Sequence, residues 1–154
     1  MMRDIHSILP EDTGTYRGDP WVPTFLVLLS VVATARSVIH IARHDGGAAS
    51  IAGIDIEVEG GQNLIAIFAQ WGLVQLLNAA IGWIVVTRYR GLIPLILLTS
   101  LVENIGRIAI GHSKPLKVAK PPPGHYGSLV VIPLLAAAFW RSLPERDSFY
   151  TNAS

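Results

Sequence analysis

Four long apolar stretches constrain this 154-residue chain more than any other feature of its sequence. They cover approximately residues 22–42, 63–86, 91–110 and 126–143, with a polar segment at 1–20 and a polar tail at 144–154. Each stretch is near the roughly 20 residues that an α-helix needs to cross the hydrocarbon core of a bilayer. The pattern predicts an all-α integral membrane protein, with residues 1–154 forming one membrane domain built as a bundle of four transmembrane helices.

The overall composition supports a membrane protein and excludes several other classes. Half of the residues are hydrophobic, only 15% are charged, and the mean hydropathy is +0.45. The absence of cysteine excludes disulfides and thiol catalysis. A net charge of +1 gives no reason to expect a nucleic-acid partner. Since 1–20 lacks the apolar region of a cleavable signal peptide, the first helix is expected to remain as a membrane anchor.

The distribution of basic residues between the helices predicts the orientation. Four crossings place both termini and the short turn 87–90 on one side of the membrane. That side carries Arg3, Arg17, Arg88, Arg90, Arg141 and Arg146, against Arg43, Lys114, Lys117 and Lys120 on the other. The positive-inside rule therefore predicts a multi-pass protein of the cell inner (plasma) membrane with cytoplasmic termini.

The first long loop contains an alternating pattern of apolar and acidic residues. Residues Ile54–Glu59 read Ile-Asp-Ile-Glu-Val-Glu and lie between glycines. Such alternation is typical of a strand with one apolar face. We therefore expect a short β-like segment here, which could cap the bundle.

Three ionisable residues lie inside the apolar stretches: Arg36, Glu103 and Arg107. A charge in hydrocarbon costs several kcal/mol, so such residues face the bundle interior, find partners and often mark functional sites. At a rise of about 1.5 Å per residue they lie roughly 21, 18 and 24 Å from the side of the termini. Gln70 reaches a similar level from the second helix. The sequence predicts one polar layer supplied by three helices.

Helical spacing groups further polar residues with this layer. Arg36 and His40 share a face of the first helix, Trp71, Gln75 and Asn78 follow one face of the second, and Asn104 lies beside the i,i+4 pair Glu103 and Arg107 on the third. With these faces inward, the bundle would enclose a polar pocket in an apolar wall. Two arginines and one glutamate leave the layer formally positive, so an anion, water or a carbonyl-rich molecule should complete it.

The expected ligand is therefore a hydrophobic, lipid-like or isoprenoid-like small molecule, and whether it is chemically changed stays open. In an isomerase or cyclase reaction, Glu103 would act as the acid–base group, and Arg36 and Arg107 would stabilise an anion. The predicted ligand-binding residues are Gln70, Trp71, Asn78, Asn104 and His40. No cofactor is predicted. His40 and His44 have the i,i+4 spacing of metal ligands, but the nearby arginines would repel a cation, so no metal site is predicted.

Other interpretations of the same residues stay open. Glu103 and Arg107 could form a self-satisfied intrahelical pair, and Arg36 could reach a lipid headgroup or a backbone carbonyl by extending along the helix. The polar amides could be interhelical hydrogen-bonding residues that serve packing. The chain could then be an accessory subunit of a larger membrane complex, a homo-oligomer, or a small transporter, with membrane lipids as its other partners.

The order of elements also resembles a known group of proteins. The second helix is entered through Gln62-Asn63, a tight Arg88-Tyr89-Arg90 turn follows it, and the third helix carries Glu103-Asn104-x-x-Arg107. Over approximately 22–141 this arrangement resembles small bacterial four-helix membrane proteins of the DoxX-like group and neighbouring uncharacterised families. The resemblance implies a compact four-helix fold and a pocket for a hydrophobic molecule. It transfers no catalytic residue to this chain.

Overall fold

The computed structural model describes residues 3–118 and 123–145, so Met1, Met2, residues 119–122 and most of the predicted polar tail, 146–154, lie outside the described residues. The described residues form four α-helices: α1 (Val22–Ala42), α2 (Gly61–Thr87), α3 (Ile93–Ser113) and α4 (Pro123–Ser142). Short 3-10 helices cover Ile5–Ile8 and Arg90–Leu92. Each α-helix begins and ends within three residues of the predicted bounds. The all-α prediction is confirmed for this part of the chain.

Length and surface character fit a helical membrane bundle. Helices α1 and α2 and the helical segment Arg90–Ser113 are long and apolar enough to cross a membrane, and Tyr126–Ser142 is a shorter apolar helix. The outward faces are aliphatic: Val32, Val102 and Val130 are 66%, 60% and 61% exposed. Many exposed aliphatic side chains of this kind are disfavoured in water and favoured against acyl chains.

Proline and glycine mark where the helices begin. Pro23 and Pro94 stand in the first turns of α1 and α3, where the missing N–H would have no helical partner. Gly60 precedes α2 with a φ of 84°, a left-handed conformation that glycine adopts without strain. These local signals explain why the apolar stretches are separated into distinct helices.

Helix α1 packs mainly against α2, and α3 mainly against α4. The α1–α2 contact is close because glycines face the partner helix. A Cβ atom at Gly72 would lie 2.7 Å from Cβ of His40, and one at Gly82 would lie 2.9 Å from Oγ of Ser30. Trp83 also donates a hydrogen bond of 3.1 Å from Nε1 to Oγ1 of Thr34. Small residues at such contacts are a common way for membrane helices to associate.

The two helix pairs are joined by an aliphatic core near the end of the bundle that carries the termini, here called the terminal end. Its buried residues come from all four helices: Val22, Leu26, Val85, Val86, Ile93, Leu97, Leu135 and Ala138. Beyond Leu97, helix α3 has no buried residue. Towards the opposite end, here called the loop end, contact between the pairs is therefore made by other groups.

The N-terminal segment covers the terminal end of the bundle. Arg3 is buried and donates a hydrogen bond of 2.7 Å from Nη1 to the carbonyl of Leu143. The amide of Gly91 donates a hydrogen bond of 2.9 Å to the carbonyl of Thr13. Arg141 at the end of α4 forms an ion pair with Asp19. The segment 3–20 is thus tied to the α2–α3 turn and to the end of α4.

The predicted β-like segment at Ile54–Glu59 is wrong. The described residues contain no strand there, since no neighbouring strand offers hydrogen bonds to the backbone. Instead Oδ1 of Asp55 accepts a hydrogen bond of 2.9 Å from the amide of Glu57, and the amide of Gly61 donates to the carbonyl of Val58 at 2.9 Å. Side-chain acceptors of this kind favour turns over strands.

The loop end of the α1–α2 pair is capped by an earlier part of the same loop. Ala48 is completely buried, and a Cβ atom at Gly46 would lie 3.1 Å from Cβ of Phe68 on α2. Gly46 and Gly47 have φ values of 60° and 78° and allow this close approach. Asp45 holds the turn, because its two carboxylate oxygens accept hydrogen bonds from the amides of Gly47 and Ser50 at 3.0 and 2.6 Å.

Candidate functional site

Trp71 of α2 is close to both arginines of the predicted polar layer. The guanidinium carbon of Arg107 is 4.9 Å from the centroid of the Trp71 ring, and that of Arg36 is 5.9 Å away. Both distances are within the range of cation–π interactions. Helices α1, α2 and α3 therefore bring these three predicted site residues to one level of the bundle.

Glu103 pairs with only one of the arginines. Its Oε1 accepts a hydrogen bond of 2.6 Å from Nη2 of Arg107, one turn further along α3. The side chains of Arg107 and Glu103 are 25% and 44% exposed. A charge-assisted bond of this geometry satisfies both groups. Since Arg36 has no carboxylate in the described hydrogen-bond and ion-pair network, the layer keeps one formal positive charge.

A half-open cleft of about 90 Å³ lies beside this charged layer, between α1, α2 and α3. Its polar lining residues are Ser30, Arg36, Gln75, Asn78, Ser100 and Glu103. Its other lining residues are small or aliphatic: Leu26, Leu29, Ala33, Ala79, Gly82 and Ile96. The predicted residues Arg36, Asn78 and Glu103 thus share one cleft, with an apolar wall on its terminal side.

Two of the lining residues have buried polar atoms without a hydrogen-bond partner among the described residues. These atoms are Nε of Arg36 and both amide atoms of Gln75, Nε2 and Oε1. The Gln75 residue is only 5% exposed. Leaving a buried donor or acceptor unsatisfied costs roughly 1–3 kcal/mol, and more for a charged group. The cleft therefore offers two donor groups, Nε of Arg36 and Nε2 of Gln75, and one acceptor, Oε1 of Gln75, which a bound polar group would satisfy.

His40 supports the loop and does not line the cleft. Its Nδ1 is 2.7 Å from the carbonyl oxygen of Gly46, and the residue is 5% exposed. The centroid of its ring lies 5.3 Å from that of Trp71 and 5.8 Å from that of Phe68. The histidine connects the loop that follows α1 to the aromatic residues of α2. Its contact with the Trp71 ring helps to hold that ring in place.

The remaining predicted ligand-binding residues do not line the cleft. Gln70 is exposed on α2, immediately before Trp71. Asn104 donates a hydrogen bond of 2.9 Å from Nδ2 to the carbonyl of Ser100, four residues earlier on α3. Contacts link Arg36, Trp71, Arg107 and Glu103 into one group. Of these four, only Arg36 and Glu103 line the cleft, whereas Trp71 and Arg107, like Gln70 and Asn104, do not.

The predicted site omitted Gln75, Ser30 and Ser100, which line the cleft. A signal for Gln75 was present, because it shares a helix face with Trp71 and Asn78. Ser30 lies two turns before Ser37, on the α1 face that meets α2. Neither serine could be distinguished by residue type from those that only pack helices together.

A larger cavity of about 490 Å³ lies at the terminal end, beneath the N-terminal segment. It is lined by residues such as Asp4, Asp12, Tyr16 and Pro94, and contains none of the predicted site residues. Two of its three lining carboxylates, Asp4 and Asp12, are used locally: Asp4 accepts from the amide of His6 at 3.1 Å, and Asp12 from that of Gly14 at 2.9 Å. These hydrogen bonds shape turns, so the smaller intramembrane cleft remains the candidate site.

No family model matches this chain, and no curated protein or solved structure is significantly similar to it. The resemblance to the DoxX-like group stays a prediction from topology and from the polar residues of α2 and α3.

Proposed function

We propose that this membrane protein binds a lipid-like or isoprenoid-like small molecule, with the polar end of the molecule in the intramembrane cleft. The observation that carries the proposal is the buried Nε of Arg36, which has no hydrogen-bond partner among the described residues and belongs to a residue that lines the same cleft as the equally unsatisfied amide of Gln75. Arginine does not lose its charge to escape burial. A guest with an anionic or carbonyl group would satisfy it.

The size of the cleft supports an amphipathic guest. Pockets that enclose a whole drug-sized ligand have volumes of roughly 300–1,000 Å³. The cleft measures about 90 Å³, which suits a head group but not a hydrocarbon chain. The chain would lie along the aliphatic lining and the apolar outer faces of the helices. This division matches a molecule that is already dissolved in the bilayer.

Acid–base chemistry on the bound molecule is a second candidate, favoured by Glu103. Its carboxylate lines the cleft and is oriented by Arg107 at 2.6 Å. A positioned carboxylate beside an anion-stabilising arginine is the minimum that an isomerase or cyclase needs. Arg36 and Arg107 would then stabilise the developing anion.

The proposed location is the inner membrane, with the termini in the cytoplasm, because arginines concentrate at the terminal end. A transporter would need a polar path through the bundle. The aliphatic core at the terminal end interrupts such a path, which favours binding over transport. An accessory-subunit role would place a partner helix against the same polar groups.

The experiment compares the wild-type protein with Arg36→Leu and with Arg88→Leu as the control. Arg88 is exposed at the end of α2, away from the cleft. Native mass spectrometry of protein purified in mild detergent should show a retained amphipathic molecule in the wild type and in Arg88→Leu. Arg36→Leu should lose it while keeping the helical circular dichroism spectrum. Equal retention by Arg36→Leu would contradict the proposal.

A further inference from the structure

Gln75 restricts the chemistry of the head group further than Arg36 does alone. Its amide offers two N–H donors on Nε2 and one acceptor on Oε1, and none of these atoms has a partner among the described residues. The residue is 5% exposed and lines the cleft next to Arg36 and Asn78. The cleft therefore needs acceptors for Nε of Arg36 and Nε2 of Gln75, and a donor for Oε1 of Gln75.

The charge of the layer limits the guest to about one negative charge. Two arginines face one glutamate, and Glu103 is already paired with Arg107 at 2.6 Å. A neutral alcohol or quinone would leave Arg36 uncompensated. A phosphate monoester carries about −1.5 to −2 at neutral pH and would bring an excess of negative charge into the bundle. A carboxylate brings one charge and two acceptor oxygens in one plane.

We propose that the cleft binds the carboxylate of a single-chain amphipathic acid. One carboxylate oxygen accepts from Nε of Arg36 and the other from Nε2 of Gln75, while Oε1 of Gln75 accepts from a water molecule that enters with the head group. A carboxyl group and one water, which occupies about 30 Å³ in the liquid, fit within the cleft. This inference rests on the proposed function, since it specifies the head group of the same bound molecule.

The aliphatic lining gives the chain of the acid a direction. Leu26, Leu29 and Ile96 line the cleft together with the polar residues. Burial of each further CH₂ group removes apolar surface from water and favours binding. A saturated chain leaving the head group along these residues and the outer faces of the helices would contribute to affinity without selecting a chain length sharply.

The test uses three probes with the same sixteen-carbon chain: palmitate, hexadecanol and hexadecyl phosphate. Binding to the full-length protein in nanodiscs is measured through Trp71 and the other tryptophans by fluorescence, with empty nanodiscs as the partitioning control. The carboxylate of palmitate can accept a charge-assisted hydrogen bond from Arg36 and compensate its charge, whereas the hydroxyl of hexadecanol cannot, so palmitate should bind at least about tenfold more tightly than hexadecanol. Hexadecyl phosphate should also bind more weakly than palmitate.

The decisive variant is Gln75→Glu, which keeps the volume of the side chain and adds a carboxylate beside Arg36. We expect it to weaken palmitate binding at least about tenfold, because the charge of the guest is then supplied by the protein. Gln62→Glu is the matched control. It makes the same change in the first turn of the same helix, at an exposed position outside the cleft and near the membrane surface, and it should bind palmitate like the wild type.

The outcomes separate this inference from the proposed function. Binding of hexadecanol or hexadecyl phosphate as tight as that of palmitate would overturn the carboxylate and leave the lipid-like guest in place. If Gln75→Glu binds palmitate as tightly as the wild type, the carboxylate inference is likewise overturned and the lipid-like ligand remains. If none of the three probes binds the wild-type protein above the level of empty nanodiscs, both the inference and the proposed function fail.

Discussion

The guanidinium of Arg107 lies over the ring of Trp71, with 4.9 Å between its central carbon and the ring centroid. This contact joins α3 to α2 on the loop side of the shared aliphatic core, where α3 has no buried residue. It is thus a polar substitute for the hydrophobic packing that joins the helix pairs at the terminal end. The same ring also receives Arg36, so the contact fixes one wall of the charged layer.

The Arg107–Trp71 contact should be measurable as a coupling energy. Cation–π interactions contribute roughly 0.5–2 kcal/mol, depending on exposure. We expect a double-mutant cycle of Trp71→Leu and Arg107→Met to give a coupling within that range, measured by unfolding in mixed micelles. Additive effects within about 0.3 kcal/mol would show that the two side chains do not stabilise each other.

The close packing of α1 on α2 predicts that Gly72→Ala destabilises the protein. The added Cβ would meet Cβ of His40 at 2.7 Å and the carbonyl of Ser37 at 3.2 Å, and neither atom is the end of a flexible side chain. Overpacking of this kind costs typically about 1–3 kcal/mol, which should lower the thermal midpoint.

Gly106→Ala is the matched control for Gly72→Ala. A Cβ atom at Gly106, in the interior of α3, has nothing within 4 Å. Replacing glycine by alanine inside a helix is favourable by roughly 0.5–1 kcal/mol, so its thermal midpoint should stay the same or rise. A larger loss of stability in Gly106→Ala than in Gly72→Ala would contradict the packing described for α1 and α2.

The helices could be predicted because they depend only on the length and hydrophobicity of each apolar stretch. About twenty apolar residues in succession leave few structural options, and Pro23 and Pro94 fix where two helices start. The alternation at Ile54–Glu59 misled, because periodicity of two predicts a strand only where a second strand is available for pairing. That pairing depends on tertiary structure, and here Asp55 closes a turn on itself.

The candidate site was predictable in level but not in detail. Charges in hydrocarbon must find partners, so Arg36, Glu103 and Arg107 could be placed in one layer from the sequence. Which amide faces the cleft depends on the rotation of α2 against α1, which is set by the contacts of Gly72 and Gly82. The sequence placed Gln75 on the same face as Trp71 and Asn78, but Gln70 was chosen for its depth in the bilayer, and depth alone does not show which side of α2 faces the cleft.

Asp45 should make the stability of the capping loop depend on pH. Hydrogen bonds from Ser50, and then from the amide of Gly47, lower the pKa of Asp45 below its ordinary value. A carboxyl group with a lowered native pKa stabilises the folded state above its unfolded pKa of about 3.9, and this contribution is lost as the pH falls below that value.

The variant Asp45→Asn measures this contribution. Asparagine can accept the hydrogen bond from Gly47, but its NH₂ group cannot accept the one from Ser50. We expect faster proteolysis of the loop 43–60 at pH 7, with the difference from the wild type shrinking below about pH 4. Asp55→Asn is the control, because the single oxygen that accepts from Glu57 is kept. Equal proteolysis of both variants at pH 7 would refute the role of Asp45.

The proposed orientation can be tested in a chain that has no cysteine of its own. Single-cysteine variants His6→Cys and Ser50→Cys replace exposed residues at the terminal end and the loop end. In spheroplasts, a membrane-impermeant maleimide should label Ser50→Cys readily, and His6→Cys only after lysis. The reverse pattern would place the termini outside the cytoplasm.

The position of the aliphatic core has a mechanical consequence. Because the two helix pairs share their buried core near one end, we expect that small rigid-body rotations about this core can occur without breaking a hydrogen bond within a helix. Such a rotation would widen the cleft at the expense of the Arg107–Trp71 contact while the terminal end stays closed. The proposed amphipathic ligand would then enter the cleft sideways from one leaflet, without crossing water. The rate of entry would depend on the concentration of the ligand in that leaflet more than on its solubility in water.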